Sequence, residues 1–107
     1  MSDPAPQRGE IWLAYLDKIR PAVVLTRDPM GSHLHSVIAA PITSVIRGLS
    51  TEVAIGPEDG IRAQSVANLD NVRLVRRSRL IRRLGRVTST TMDELCQAFS
   101  IAIGCDR

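Results

Sequence analysis

The stretch Ile11–Thr26, IWLAYLDKIRPAVVLT, sets the architecture. Two apolar runs, IWLAYL (11–16) and PAVVLT (21–26), flank a short polar link, DKIR (17–20). Runs of this length, rich in Val, Ile and aromatic residues and separated by so few positions, predict two antiparallel strands joined by a tight hairpin. Both runs are apolar at successive positions, so both faces of the pair should be covered. Closing the sheet into a small barrel does this while removing exposed edges. The link ends on a permanent cation, Arg20, directly ahead of Pro21 and the second run, which asks for a reason.

Working outward, similar segments recur at SVIAAPI (36–42), STEVAI (50–55), SVANL (65–69) and VRLV (72–75), bordered by turn-rich RDPMGS and GPEDG. They predict further strands of the same antiparallel sheet. SRLIRRLG (78–85) reads as a short helix with Leu80, Ile81 and Leu84 inward, its arginines outward and Gly85 at its end, followed by a strand in GRVTS. The period then changes. Met92, Leu95, Cys96, Phe99, Ala102 and Ile103 share one helical stripe, predicting a helix from about Thr90 to Ile103. Thr91 with Glu94 forms a candidate capping box, Gly104 the stop, and Cys96 a buried thiol on the stripe. Strands first and a terminal amphipathic helix last describe a β-rich α+β domain.

With 107 residues, the chain suits one domain, expected over residues 8–107 behind a flexible lead-in of residues 1–7. The start lacks the pattern of a secretory signal, and no apolar run approaches the about 18 residues that cross a bilayer, so a cytoplasmic protein is expected. Cys96 and Cys105 match no zinc spacing, and with only two histidines a structural metal site is not expected.

Charge is more informative. Fourteen basic residues against 11 acidic ones give a net +3, and 13 of the 14 are arginine. Arg73, Arg76, Arg77, Arg79, Arg82, Arg83 and Arg86 fall between Asp70 and Asp93 with no acid among them. Arginine's planar fork suits phosphate, so a polyanion, nucleic acid ahead of membrane, is the natural partner. Each arginine taken singly also fits a solvated face that keeps the protein soluble.

Conventional catalytic signatures are missing. His33 and His35 would share a face on a strand, as an acid–base pair requires, but they border a turn and lack a carboxylate to orient them. They read better as surface or RNA-contacting residues. No Ser-His-Asp set, phosphate-binding glycine loop or metal cluster can be assembled. What remains are polar residues at strand ends, where a rigid scaffold can hold functional groups: Arg20, Thr43, Ser44 and Asp70. Spacing alone equally allows Thr43 a turn role and Asp70 a capping role.

In chain order, RGEIWLAYL, RPAVVLTRD, VIAAPITS, TEVAIGPEDGI, SVANLDNVRLV, SRLIRRLGRV and the terminal helix resemble the MazF/PemK family of toxin endoribonucleases. The resemblance runs from Arg8 to about Gly104 and rests most firmly on R-G-E-I-W, R-P-(apolar) and A-P-I-T-S. It implies a small SH3-like antiparallel barrel of the CcdB/PemK type and a homodimer. It further implies sequence-specific cleavage of single-stranded RNA without metal or cofactor. A labile MazE-like antitoxin, whose C-terminal segment folds into the dimer groove, is the implied partner.

The resemblance maps the family's catalytic arginine to Arg20 and its partner threonine to Thr43. Attack by the ribose 2′-OH builds charge on the phosphoryl oxygens, which a guanidinium can meet with two parallel donors. Arginine stays protonated and is a poor base, so the general base stays open, with Asp70 a candidate. Relatives that use an aspartate there carry an arginine two residues earlier, where this chain has Asn68. The loop between the first two strands is shorter than the family's usual long one. Base contacts are therefore expected from the loops at residues 27–35, 45–50 and 57–64. Lys18, Arg27, His33, Ser44, Arg47, Gln64 and Asn68 are the candidate RNA-binding residues. Two other readings share the scaffold: a CcdB-like toxin that binds gyrase, and a non-catalytic RNA- or protein-binding barrel.

Overall fold

A computed structural model describes residues 5–27 and 35–105. Strands β1 (Glu10–Tyr15) and β2 (Ile19–Val24) form the expected hairpin, with Tyr15 opposite Ile19 across a three-residue link. They are followed by β3 (Ser36–Thr43), β4 (Glu52–Ile55), β5 (Ser65–Asn68), β6 (Arg73–Arg76), β7 (Leu80–Arg86) and the helix α1 (Ser89–Ala102). Single 3-10 turns occupy Pro57–Asp59, Leu69–Asn71 and Arg77–Arg79.

All pairings are antiparallel, in the order β4-β5-β3-β2-β1-β7, with β6 added on β3. β3 is the hub. One of its edges pairs with β2, while the other is shared between β6 along residues 36–39 and β5 at Ile42 and Thr43. Sharing one edge between two partners makes the sheet bend at β3, and the bend gives it two apolar interiors.

The larger interior joins Ile11, Val23, Ala40, Ile42, Val53, Ile55, Ala67 and Leu69 to Leu95 and Ala98 of the helix. The smaller joins Ala14, Ala22, Val24, Val37, Ala39 and Val75, with Trp12, Leu16 and Leu80 at its margin. On β2, Val23 enters one core while Ala22 and Val24 enter the other, because side chains alternate across a strand. This is the physical content of an apolar run that does not alternate.

SRLIRRLG departs from expectation. It is no helix beyond the 3-10 turn at Arg77–Arg79; from Leu80 it is strand β7, paired with β1 through two register shifts. Leu80 and Leu84 lie four apart, a spacing that suits one face of an unbroken strand as well as of a helix; pairing with β1 decides for a strand, in which Leu80 packs on the smaller core and Leu84 on the larger. Gly85 does not end a turn. It lies within β7, where any Cβ would run into the backbone of Asp59 and Gly60, so glycine lets the Pro57–Asp59 turn press against the strand.

The helix begins one residue earlier than expected, and its cap is Thr88, whose hydroxyl accepts the Thr91 N–H at 3.2 Å, in place of Thr91 with Glu94. It stops at Gly104 (φ 75°), where the Cys105 and Gly104 amides donate to the carbonyls of Ser100 and Ile101. Leu95 and Ala98 are buried, with Met92, Phe99 and Ala102 packed beside them. Cys96 is exposed, contrary to expectation, because it stands at the flank of that stripe, where an Arg8 Nη donates to its Sγ at 3.1 Å. Packing starts ahead of β1: Pro6 is buried, and the Gln7 N–H donates to Glu10 Oε1 at 2.7 Å. No helix among the described residues is long and apolar enough to cross a membrane.

Candidate active site at the end of the β2–β3 ladder

The site follows from register. β2 and β3 pair Val24 with Ala39, Val23 with Ala40 and Ala22 with Pro41, and there the ladder stops. Pro41 stands in the last rung and Pro21 beside it on β2, and neither supplies an N–H to extend the ladder. From Ile42 onward β3 pairs instead with β5. Continued by two steps, the β2–β3 register would set Arg20 opposite Thr43. The strands diverge at this point, leaving the two residues facing across an opening.

Two clefts meet there. The larger, about 840 Å³, is lined by Lys18, Arg20, Thr43, Ser44, Arg62, Arg82 and Arg83 among others. The smaller, about 190 Å³, takes in Arg20, Thr43, Arg47, Glu52, Asn68 and Asn71. Arg20 and Thr43 line both, so a chain passing from one cleft to the other must pass between them.

The donors at this point are incompletely used. An Arg20 Nη donates to Asp17 Oδ2 at 3.0 Å, while Arg20 Nε is buried and has no hydrogen-bond partner among the described residues. Thr43 Oγ1 accepts the Val45 N–H at 3.1 Å, which fixes the hydroxyl and leaves its own proton free to donate. Asp17 sits on the hairpin link. Slight desolvation pushes its carboxyl pKa up, but backbone N–H groups of Asp17 and Lys18 and the charges of Arg20 and Arg73 together hold it below the ordinary value.

The sequence candidates sort by position. Arg20, Thr43, Lys18, Ser44, Arg47 and Asn68 come together around the clefts. Asp70 lines neither; it lies exposed on the 3-10 turn, accepting the Thr51 hydroxyl at 2.5 Å. Asn68 caps that turn, its Oδ1 accepting the Asp70 N–H at 3.0 Å. Gln64 is exposed and donates to the Ile55 carbonyl at 3.3 Å. Arg27 is exposed beyond the other end of β2, and His33 lies outside the described residues. His35 is remote from Arg20, beside Arg76 and Arg77.

The arginine run divides among several surfaces. Arg82 and Arg83 form a wall of the large cleft, whereas Arg73, Arg76 and Arg79 lie around Tyr15, with Arg79 5.5 Å from its ring centroid. Arg83 is steadied by the nearly buried Glu10, whose Oε2 lies 3.4 Å from Arg83 Nε while Oε1 accepts the Trp12 indole N–H at 3.1 Å. Sequence reading put Arg82 and Arg83 in a nucleic-acid patch and Arg62 in a base-contacting loop, but it did not place them, or Asn71, beside Arg20. The approach of the three arginines comes from the β1–β7 pairing and the 57–64 loop, and that of Asn71 from the turn after β5.

A guanidinium donor, a fixed hydroxyl and arginine walls at one cleft have the chemistry to bind phosphate. Comparison with known proteins agrees. Residues 7–103 match the family described as PemK-like, MazF-like toxin of type II toxin-antitoxin system. The chain is 41% identical over 105 residues to the probable endoribonuclease MazF5 of Mycobacterium tuberculosis, covering 95% of this chain and 96% of that protein. Among solved structures it is similar to the Mycobacterium tuberculosis toxin MazF-mt6, with TM-score 0.87, 36% identity and coverage of 92% and 99% of the two chains. It is equally similar in fold, TM-score 0.87, to a mycobacterial endoribonuclease solved with its cognate antitoxin, at 30% identity and 96% and 99% coverage. The protein belongs to the PemK/MazF family of type II toxins.

Proposed function

We propose that this protein is the toxin of a type II toxin–antitoxin pair, acting in the cytoplasm as a sequence-specific endoribonuclease on single-stranded RNA. The observation that carries the reading is the buried Arg20 Nε, without a hydrogen-bond partner among the described residues, on a side chain that lines the same two clefts as Thr43. In a protein that stayed idle, such a donor would be a standing cost of about 1–3 kcal/mol. A phosphate oxygen removes that cost.

The RNA runs through the junction with its scissile phosphate between Arg20 and Thr43. The ribose 2′-oxygen attacks the neighbouring phosphorus, the bond to the 5′-oxygen breaks, and a 2′,3′-cyclic phosphate and a 5′-OH result. Arg20 offers Nε and an Nη to the phosphoryl oxygens as their charge grows, exchanging Asp17 for the substrate. Thr43 donates its hydroxyl proton to the same group. Donors fixed in place before reaction stabilise such a transition state by roughly 3–4 kcal/mol each. This chemistry requires no metal. Asp70, the carboxylate suggested as base by resemblance, has one oxygen engaged by Thr51, and the role of base goes unassigned.

Lys18, Ser44, Arg62, Arg82 and Arg83 grip the strand in the larger cleft, and Arg47, Asn68 and Asn71 in the smaller. The working form is a homodimer, silenced by an antitoxin whose C-terminal segment occupies the substrate path. The family match favours cleavage over a CcdB-like action on gyrase.

The test is direct. Purified protein is incubated with long single-stranded RNA in chelator, and the new ends are mapped. Cuts at a short recurring sequence with 5′-OH ends are expected, lost in Arg20→Ala. Intact RNA, or cleavage that chelator stops, refutes the reading.

A further inference from the structure

Glu52 is out of place by charge. It lines the small cleft together with Arg20, Thr43 and Arg47, where RNA phosphate is expected and a carboxylate repels it. Its oxygens, however, are turned to another task. Oε1 accepts the backbone N–H groups of Arg47, Gly48 and Leu49 at 3.1, 2.8 and 3.1 Å, and Oε2 lies 3.3 Å from the Arg47 nitrogen. The Glu52 N–H returns a bond to the Leu49 carbonyl at 3.0 Å.

Three successive amides converging on one anion form a nest, here closed around the protein's own side chain. Gly48 makes the turn possible with its φ of 74°. Val45, Ile46 and Leu49 are exposed large apolar residues, and residues 44–50 are all exposed. Among the described residues the loop's other side-chain anchor is Thr43 Oγ1 on the Val45 N–H, two residues short of Arg47.

We propose that Glu52 is a positioning residue for substrate: its carboxylate clamps the 47–49 backbone so that Arg47 shares a cleft with Arg20 and receives the phosphate adjacent to the scissile one. This deepens the ribonuclease reading and rests on it. The three amide dipoles oppose the carboxylate's field, so the clamp repels the strand less than a free carboxylate in the same cleft. Arg47 then supplies register along the RNA, and Arg20 the chemistry.

Glutamine separates clamping from charge. Its amide oxygen can replace Oε1 and keep the three shorter bonds, whereas alanine removes all of them. Kinetics are measured on a short single-stranded RNA spanning one mapped cleavage site, at several salt concentrations. Glu52→Ala and Arg47→Ala are each expected to raise KM about tenfold with kcat changed less. In both variants the slope of log KM against log salt falls by about 0.7, the loss of one phosphate contact on a single strand. Adding Arg47→Ala to Glu52→Ala should cost almost nothing further, and Glu52→Gln should restore KM and salt slope.

An unchanged salt slope in Glu52→Ala, or a full extra penalty from Arg47→Ala in its presence, overturns the proposal, because a merely structural glutamate lowers the active fraction and leaves both untouched. Wild-type protein that leaves the RNA whole sinks the ribonuclease reading and this one with it. Wild-type cleavage alongside a normal KM in Glu52→Ala sinks this one alone.

Discussion

Replacing Arg20 by methionine should abolish cleavage and leave the protein as stable as before, or slightly more so. Methionine keeps an unbranched stem of similar reach and removes every donor. Among the described residues the Arg20 guanidinium makes one ion pair, to Asp17 at 3.0 Å, in which the Asp17 side chain is 60% and that of Arg20 23% exposed. A pair this exposed contributes little, because solvent screens it. Against it stands the buried Nε without a partner, a cost of about 1–3 kcal/mol that methionine removes.

The balance favours the variant by about 1 kcal/mol. For a domain of this size that is a rise in Tm of roughly 4–8 °C. Catalysis should move the other way, since loss of two fixed donors to the transition state costs about 10⁴-fold or more in kcat. Arg20→Lys is the companion. It keeps the charge but presents a single ammonium in place of a fork, and should still lose about 10²–10³-fold. Thermal denaturation and cleavage of the same RNA, run on the three proteins side by side, decide the matter. A fall in Tm of several degrees in Arg20→Met would mean that the arginine holds the fold together, and near-normal cleavage by Arg20→Lys would mean that charge alone suffices; either refutes the reasoning.

Thr43→Val should reduce kcat about 10²-fold, because it removes both the donor and the acceptor that fixes the Val45 amide, while Thr43→Ser keeps most activity in the same cleavage assay. Gly85→Ala should lower stability by about 2 kcal/mol or more, since the new methyl meets the Asp59 backbone, and a Tm equal to wild type would contradict the close approach. Asp17→Asn should lower KM for RNA a few-fold near neutral pH by ending competition for Arg20. The Asp17 carboxyl is depressed in the folded protein, so its contribution to stability is present above about pH 4 and is lost as acid carries the pH down through its lowered pKa. Wild type and Asp17→Asn should therefore differ in Tm less at strongly acid pH than at neutral pH, as a pH series of melts would register.

The strands were readable because their apolar runs, turn borders and hairpin link are local, and β1 to β6 fall close to where those signals put them. β7 was misread because Leu80 and Leu84, four apart, satisfy two periods at once, and only a partner about 70 residues away breaks the tie. The same distance hid Arg82 and Arg83 from the site. Arg20 and Thr43 were singled out by resemblance and strand-end position. The ladder that ends at two prolines explains their meeting, and it needs the register as well as the residues. Glu52 carried no signal at all, since a carboxylate five residues after an arginine looks like any solvated charge until the loop is seen wrapped around it.

The partnership of β1 with β7 has a consequence for how the molecule comes into being. The first strand to emerge during synthesis waits for the last, and a polypeptide interrupted anywhere before residue 80 lacks Arg82, Arg83 and Leu84, one whole bank of the larger channel. Copies that stop short of β7 are expected to leave RNA uncut. Activity then waits on this closing strand, and its synthesis gives a neutralising partner an interval in which to be at hand.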